Sequence, residues 1–429
     1  MRSGIKLAFA QLVVCIGVAL PFGRIFAQTE TVGRLDAIAN RVEPYTGSSE
    51  GVPFDVLAVQ NEDEIYNQWG QVRESFLTVG ILGFQPSVTY AVKHSNNIRE
   101  DDSQRRVSDF VHTVRPRLRA VLLGAGATQG SFWYQPSWRF FQENGDQNTL
   151  NHSGAFSFQR DWKKLRVTAF SNFAFSEDPL LEGGVRAKRA TSDIRINASY
   201  PLSARTRGRV SVRRDVRNFS QGFDSQSVAG GVGVSYEIGG KTSIGLQGDF
   251  GRQNSESTVD STFQNYQVTA SYELTGKVRA EFRAGVQTRE FDGGTRQGGS
   301  RPLYTLGLQW RALDRTAVSV NATRRIGSSN FVRNNIDSTT VLAGSVRQEI
   351  GDFGFNLRGG YGFVESASTA VGTAAAGGRD FLFANISMSY DINPRWRVGA
   401  FYNYRKREGN SAVQGATVNE TGLQFSLQF

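Results

Sequence analysis

Cysteine is almost absent from this chain of 429 residues, with Cys15 the only one. Cys15 lies in the apolar stretch Leu7–Leu20, close to the N-terminus, so the rest of the chain has neither a disulfide nor a thiolate metal site. Histidine is nearly as scarce: His94, His112 and His152 are scattered without the spacing of a metal-ligand set, and no residue pattern calls for a cofactor. Long hydrophobic runs are also missing. Beyond the first residues nothing approaches the ~20 consecutive apolar residues of a spanning helix, which excludes a helical membrane protein. A hydrophobic content of 39% is low for a buried core in a chain this long and fits an interior that is polar. Proline numbers only 10, whereas 47 Gly, 30 Phe, 13 Tyr and 6 Trp are present. Glycine disfavours helix interiors and aromatics favour strands, so the composition is that of an all-β protein.

The N-terminus reads as a cleavable secretory leader over residues 1–27. Arg2 and Lys6 precede the apolar stretch, and Ile25-Phe26-Ala27 offers a cleavage site before Gln28. Loss of Arg2, Lys6 and Arg24 with the leader takes the net charge from +10 to +7. Residues 28–75 differ from the remainder of the chain. Glu43-Pro-Tyr-Thr-Gly-Ser-Ser-Glu-Gly51 has linker composition and Asn61-Glu-Asp-Glu64 is acidic. This segment is expected to be a periplasmic arm, partly disordered, serving as a tether or folding back as a constriction.

From residue 76 onward the sequence alternates with a period of two, the mark of strands with one apolar and one polar face. Val278, Ala280, Phe282, Ala284 and Val286 oppose Arg279, Glu281, Arg283 and Gln287; Tyr304, Leu306, Leu308 and Trp310 oppose Thr305, Gly307, Gln309 and Arg311. About 18 such segments can be counted, with 16 the alternative if the early ones near residues 76–93, 110–122 and 151–159 are misread. Most run to about 10–13 residues, against about 5–6 for soluble strands and about 9–11 for tilted membrane strands. Tight connections such as Thr275-Gly276 and Ile350–Asp352 alternate with long ones such as Asn96–Val107, Ser176–Arg189, Ile326–Asp337 and Glu365–Arg379. The expected architecture is a transmembrane antiparallel up-and-down β-barrel with short periplasmic turns and long extracellular loops.

Tyr200, Tyr236, Tyr272, Trp310, Tyr390 and Phe429 each stand near the end of a segment that runs toward a tight turn. Their separations are 36, 36, 38, 80 and 39 residues, so one member of the series is missing near Glu349. Rings collected at one end of the strands are expected to form an interfacial girdle between lipid and headgroups. The chain closes on Leu423-Gln-Phe-Ser-Leu-Gln-Phe429. An alternating last strand ending in Phe429 looks like the signal read by the bacterial outer-membrane assembly machinery, and with the leader it places the chain in the bacterial outer membrane.

The segments Gly83-Phe-Gln-Pro-Ser-Val-Thr-Tyr90, Ser95-Asn-Asn-Ile98, Ser108-Asp-Phe110 and Arg115-Pro116 resemble the opening of the bacterial outer-membrane β-barrel porins of the second type. Members of that family often accompany exopolysaccharide or exosortase genes. The likeness covers residues 84–122 in detail and the remainder only as barrel periodicity; Asn96 stands where the family pattern has an acid. The resemblance implies an outer-membrane channel or export component.

Arginine facing lipid at the membrane midplane costs about 2–4 kcal/mol, so the polar face of each strand is assigned to the lumen. That register turns Arg115, Arg117 and Arg119 inward on one strand. Arg209, Arg213 and Arg217, then Arg279, Arg283 and Arg289, then Arg395, Arg397 and Arg405 lie inward on others. Asp193, Asp215, Asp249, Glu273 and Glu281 lie among them. Two readings stand side by side: an electropositive passage that selects anions or acidic glycans, and a cross-strand mesh of Arg and carboxylate that stiffens the wall. Trp133, Phe141, Phe170 and Phe401 also face inward, as a sugar-stacking rail or as fillers beneath a loop. Asn151-His152-Ser153 has lipase-type residue kinds, but neighbours on a strand point to opposite faces, so the chain is not expected to be an enzyme. No nucleic-acid recognition fold accompanies the positive charge. The sequence therefore leaves two expectations: a channel passing polar solute such as saccharide or exopolysaccharide, or a plugged barrel anchoring envelope or polysaccharide-export partners. The partners implied are membrane lipid, the assembly machinery, anionic polysaccharide and periplasmic export proteins.

Overall fold

The computed structural model describes residues 77–100, 106–122, 127–177, 188–292, 298–329, 335–368, 378–409 and 415–429. The expected leader, residues 1–27, and arm, residues 28–75, lie outside the described residues. A short strand, β1 (Leu77–Val79), precedes β2 (Leu82–Ser95), β3 (Asp109–Leu122), β4 (Thr128–Phe141), β5 (Thr149–Trp162), β6 (Leu165–Ser176) and β7 (Arg189–Pro201). The wall continues through β8 (Thr206–Phe219), β9 (Ser225–Glu237), β10 (Thr242–Ser255), β11 (Ser261–Thr275), β12 (Val278–Phe291) and β13 (Gly299–Leu313). It ends with β14 (Thr316–Ser328), β15 (Asn335–Ile350), β16 (Phe353–Ser368), β17 (Arg379–Asp391), β18 (Trp396–Arg407) and β19 (Ala416–Gln428).

Each strand from β2 to β19 pairs antiparallel with its sequence neighbours, and β19 pairs with β2 from Glu420↔Ser95 to Gln428↔Ser87. The result is a closed antiparallel barrel of 18 strands. Closure leaves no edge, so strands can cross lipid with their backbone groups paired. An even number brings both ends of the wall to the periplasmic side. There β1 turns through Gly80, at φ 61°, and pairs back onto Leu82–Phe84.

The period-two pattern sets the faces. On β11, Tyr266, Val268 and Tyr272 are exposed on the outside, while Phe263 and Asn265 are buried within. Strands joined by Lys163-Lys164, Gly276-Lys277, Asp314-Arg315 or Gly351-Asp352 turn tightly on the periplasmic side. Several strands rise further on the other side than hydropathy suggests. Residues expected as loop in 326–337 and 365–379 are strand up to Ser328, from Asn335 and up to Ser368. The apolar alternation stops at the membrane border, but Ser-, Thr- and Gly-rich backbone goes on pairing in water.

Large inward side chains lie over small ones on the next strand. Phe383 and Phe381 cover Gly360 and Gly362; a Cβ at Gly360 would stand 2.6 Å from the Phe383 Cζ, a contact that real structures do not tolerate. With Val341 and Val364 these two rings form a buried cluster on the inner wall of β15–β17. Phe263 lies in the same way over Gly251.

One ladder is interrupted. Strands β3 and β4 pair at Val111–Val114 and again at Leu118–Val121, with a gap between. The register sets Pro116 opposite Pro136 in that gap, and neither has an N–H to donate. Substituting both (Pro116→Val with Pro136→Val) returns two donors to the wall. At roughly 0.5–1.5 kcal/mol net per hydrogen bond, the expected result is a higher urea midpoint for the refolded barrel, monitored by tryptophan fluorescence. An unchanged or lower midpoint would mean that the gap costs the wall nothing.

Candidate functional site: the lumen wall and its mouth

The lumen face of β3 carries Arg115, Arg117 and Arg119, alternating with outward Val114, Pro116 and Leu118. The Arg117 guanidinium stands 4.7 Å above the Trp133 ring of β4, so this ring is covered rather than bare. Phe401 likewise lies on Gly422. A second group sits where β7 meets β8. Arg195 is directly opposite Arg213, and Asp193 directly opposite Asp215. Like charges thus face each other across the strands, while opposite charges neighbour along them. Arg195 reaches Asp193 at 3.3 Å and Arg213 reaches Asp215 at 4.0 Å. Arg209 and Arg217 share this inward face, below and above.

On β12 the inward row is Arg279, Glu281, Arg283, Gln287 and Arg289, with Arg279 and Glu281 paired at 2.7 Å. Arg289 donates to Gln253 and to Ser261, and the Arg213 and Arg289 guanidinium groups flank Phe263 at 5.8 and 5.6 Å. Arg397 on β18 pairs with Asp391, and Arg405 reaches Glu420 at 3.5 Å. Arg395 differs from its sequence assignment. It belongs to the exposed periplasmic turn before β18, where the Asn393 Oδ1 accepts from the Arg395 and Trp396 N–H groups at 2.9 and 3.0 Å. The turn capped by Asn393 keeps Arg395 outside β18, which begins one residue later at Trp396.

On the opposite face Tyr200, Tyr236, Tyr272, Trp310, Tyr390 and Phe429 are all exposed outward at the periplasmic ends of their strands. At the missing place in that series β15 ends in Ile350, and Phe353 of β16 packs on Tyr390 at 4.7 Å. All three histidines lie outside as well. His112 and His152 hydrogen-bond the Tyr90 and Tyr134 hydroxyls at 2.7 Å each, while Ser153 points inward. Among the described residues no three His, Cys, Asp or Glu side chains gather as a metal site.

The mouth holds a feature that the sequence did not signal. The β13–β14 ladder ends at Tyr304↔Arg324, although both strands continue. Above that point the β14–β15 hairpin leaves the wall and bends into the lumen. Its once outward side chains Ile326 and Ile336 pack on the inward Phe291 and Leu303. Ser328 reaches Gln253 of β10 at 3.2 Å and Thr258 at 3.3 Å, four strands away. Arg301 donates to Ser338 at 3.2 Å, and Asp337 accepts from Ser366 at 2.6 Å and Arg379 at 3.1 Å. No hydropathy signal marks this bend, because Ile326 and Ile336 keep the spacing of wall residues.

A closed wall of 18 antiparallel strands, apolar outside and arginine-rich inside, is a transmembrane β-barrel. The Gram-negative porin family matches residues 211–410 of the chain. No curated protein matches it in sequence. Among solved structures, OccK2 (OpdF) of Pseudomonas aeruginosa is similar at 10% identity and a TM-score of 0.44, over 83% of this chain and 100% of that one. OpdK of Pseudomonas aeruginosa aligns at 10% identity and 0.41, over 81% and 99%. OccAB3 of Acinetobacter baumannii does so at 9% identity and 0.39, over 81% and 99%.

Because four apolar side chains hold the hairpin down, Ile326→Asn with Ile336→Asn is expected to free it. Single-channel conductance in planar bilayers should then exceed that of the parent. Equal conductance would show that the hairpin does not narrow the path.

Proposed function

We propose that this protein is a passive outer-membrane channel that carries polar solutes, saccharide or exopolysaccharide among them, through a lumen selective for anions. The observation that carries the reading is the inward register of arginine on β3, β7, β8 and β12. Ion pairs such as Arg279–Glu281 and Arg347–Glu349 (2.6 Å) neutralise part of this charge. The chain nevertheless carries 49 Lys and Arg against 39 Asp and Glu, so cations remain in excess. A basic lining favours anions, including acidic sugars. In this reading the outward rings from Tyr200 to Tyr390 are the periplasmic girdle. Phe429 ends the strand read by the assembly machinery, and residues 28–75 reach toward periplasmic partners.

The folded-in hairpin favours a second reading, a plugged barrel that anchors envelope or polysaccharide-export proteins. Conductance separates the two. In a KCl gradient across a planar bilayer, the channel reading expects a stable open current with its reversal potential on the anion side. Arg115→Gln, Arg117→Gln and Arg119→Gln together should move that potential toward the cation side. Cation preference in the parent protein would sink the charge argument, and silence from a folded, heat-modifiable barrel would leave the anchor.

A further inference from the structure

The motif Ser95-Asn96-Asn97-Ile98 ends β2 and begins the connection to β3. The structure sets it at the extracellular end of the β2–β19 interface, the one place where the wall joins the two ends of the chain. The regular ladder stops at Ser95↔Glu420. Asn96 carries it one step further: its N–H donates to the Asn419 carbonyl at 3.1 Å, and its side-chain Oδ1 accepts from the Asn419 N–H at 2.8 Å. The Asn96 amide oxygen stands in for a backbone carbonyl and adds no charge beside Glu420, whereas an acid here would add one. Asn97 crosses the same seam, donating from Nδ2 to the Thr417 carbonyl at 3.2 Å.

The chain then folds back over the seam. The Ile98 N–H donates to the Val107 carbonyl at 2.8 Å, and Glu100 adopts the left-handed conformation at φ 54°. That unusual geometry puts the Glu100 carboxylate 3.0 Å from Arg405 Nη2 and 3.6 Å from Arg407 Nη1, both on β18. Arg407 also donates to the Glu100 backbone carbonyl at 3.2 Å. Below this, Glu420 of β19 accepts from Lys93 of β2 at 2.9 Å and lies 3.5 Å from Arg405. Asn97, Glu100, Arg407 and Glu420 are all buried. Alternating charges therefore bridge β2, β19, β18 and the first extracellular connection in one buried network. Such a network is strong only when complete, because each lost partner strands a buried charge.

We infer that residues 95–100 are a clasp that locks the barrel seam from the extracellular side once β19 has paired with β2. Its groups come from residues more than three hundred positions apart, so it cannot form before closure, and once formed it opposes the separation of the first and last strands. The same contacts would also suit a loop merely tidied against the rim, and the two roles differ in what happens when the seam cannot open.

The test uses the chain recovered from the outer membrane in two backgrounds, with and without a disulfide across the seam. Thr89 and Ser426 are directly paired there, their hydroxyls 3.0 Å apart, so Thr89→Cys with Ser426→Cys supplies the bond. The readout is the temperature at which the folded, fast-migrating form is lost on gels. Glu100→Gln is expected to lower that temperature by several degrees in the open background and to have less than half that effect once the seam is covalently shut. An equal loss in both backgrounds, or none in either, overturns the clasp. Should Glu100→Gln not be recovered folded, its recovery by the seam disulfide supports the inference, and failure in both backgrounds overturns it. Asn96→Ala, which removes no charge, is expected to show the same pattern.

Discussion

Inside hydrocarbon every backbone N–H and C=O must find its partner within the protein, because lipid offers none. The rest of this structure depends on that constraint. It forces a sheet that closes on itself, and with hairpin connections the even number of strands returns both ends of the wall to one side. It makes the contact between β2 and β19 the only wall interface that sequence proximity does not help to form. It also gives the Pro116–Pro136 gap its meaning, since that is where two donors are missing at membrane depth. The period-two geometry adds a second consequence. A residue cannot change its face without shifting the whole strand, so the apolar face that lipid demands fixes the polar face the lumen receives.

Within the lumen, packing and electrostatics share the same residues. Arg213 and Arg289 flank Phe263, which itself rests on Gly251. One ring thus contacts two cations, and the absence of a side chain at Gly251 leaves the space that the ring occupies. Where β7 meets β8, the direct pairing of Arg195 with Arg213 would be repulsive by itself. It is offset by Asp193 and Asp215 one step along each strand. Neutralisation therefore runs along strands as well as across them, and charge is held at defined heights instead of being averaged over the wall.

The barrel was legible in the sequence because its signal is local. Alternation at Val278–Val286 or Tyr304–Trp310 needs no knowledge of partners, and the recurring rings from Tyr200 to Phe429 mark one end of the strands. What escaped was what depends on pairing. Ile326 and Ile336 have the spacing of lipid-facing residues, and only the end of the β13–β14 ladder turns them against Phe291 and Leu303. Strand ends above the membrane were hidden because Ser, Thr and Gly carry no hydropathy contrast. Arg395 fitted the alternation by number alone, whereas the turn capped by Asn393 holds it outside β18. Asn96 and Asn97 read only as part of a family motif, whereas their hydrogen-bond partners Asn419 and Thr417 belong to the last strand.

The folded-in hairpin and the charge pattern act on one another. Ser328 reaches β10, so the hairpin covers the inner wall from β10 to β13 near the mouth. Across a ring of 18 strands the wall facing β10–β13 is β19, β2, β3 and β4, of which β3 carries Arg115, Arg117 and Arg119, whereas Arg195, Arg209, Arg213 and Arg217 lie on β7 and β8 at its side. Electrostatic attraction decays over ~8 Å at physiological ionic strength. A cation on the far wall of a wide barrel would therefore act weakly on a solute at its centre. In the channel reading, a path displaced toward β2–β4 brings a passing solute within that distance of Arg115, Arg117 and Arg119. An arginine's influence on passage, in that reading, depends on which wall the hairpin leaves free as much as on whether a carboxylate pairs with it. In that reading the bend at Tyr304↔Arg324, far from these side chains in sequence, bears on the selectivity of the lumen.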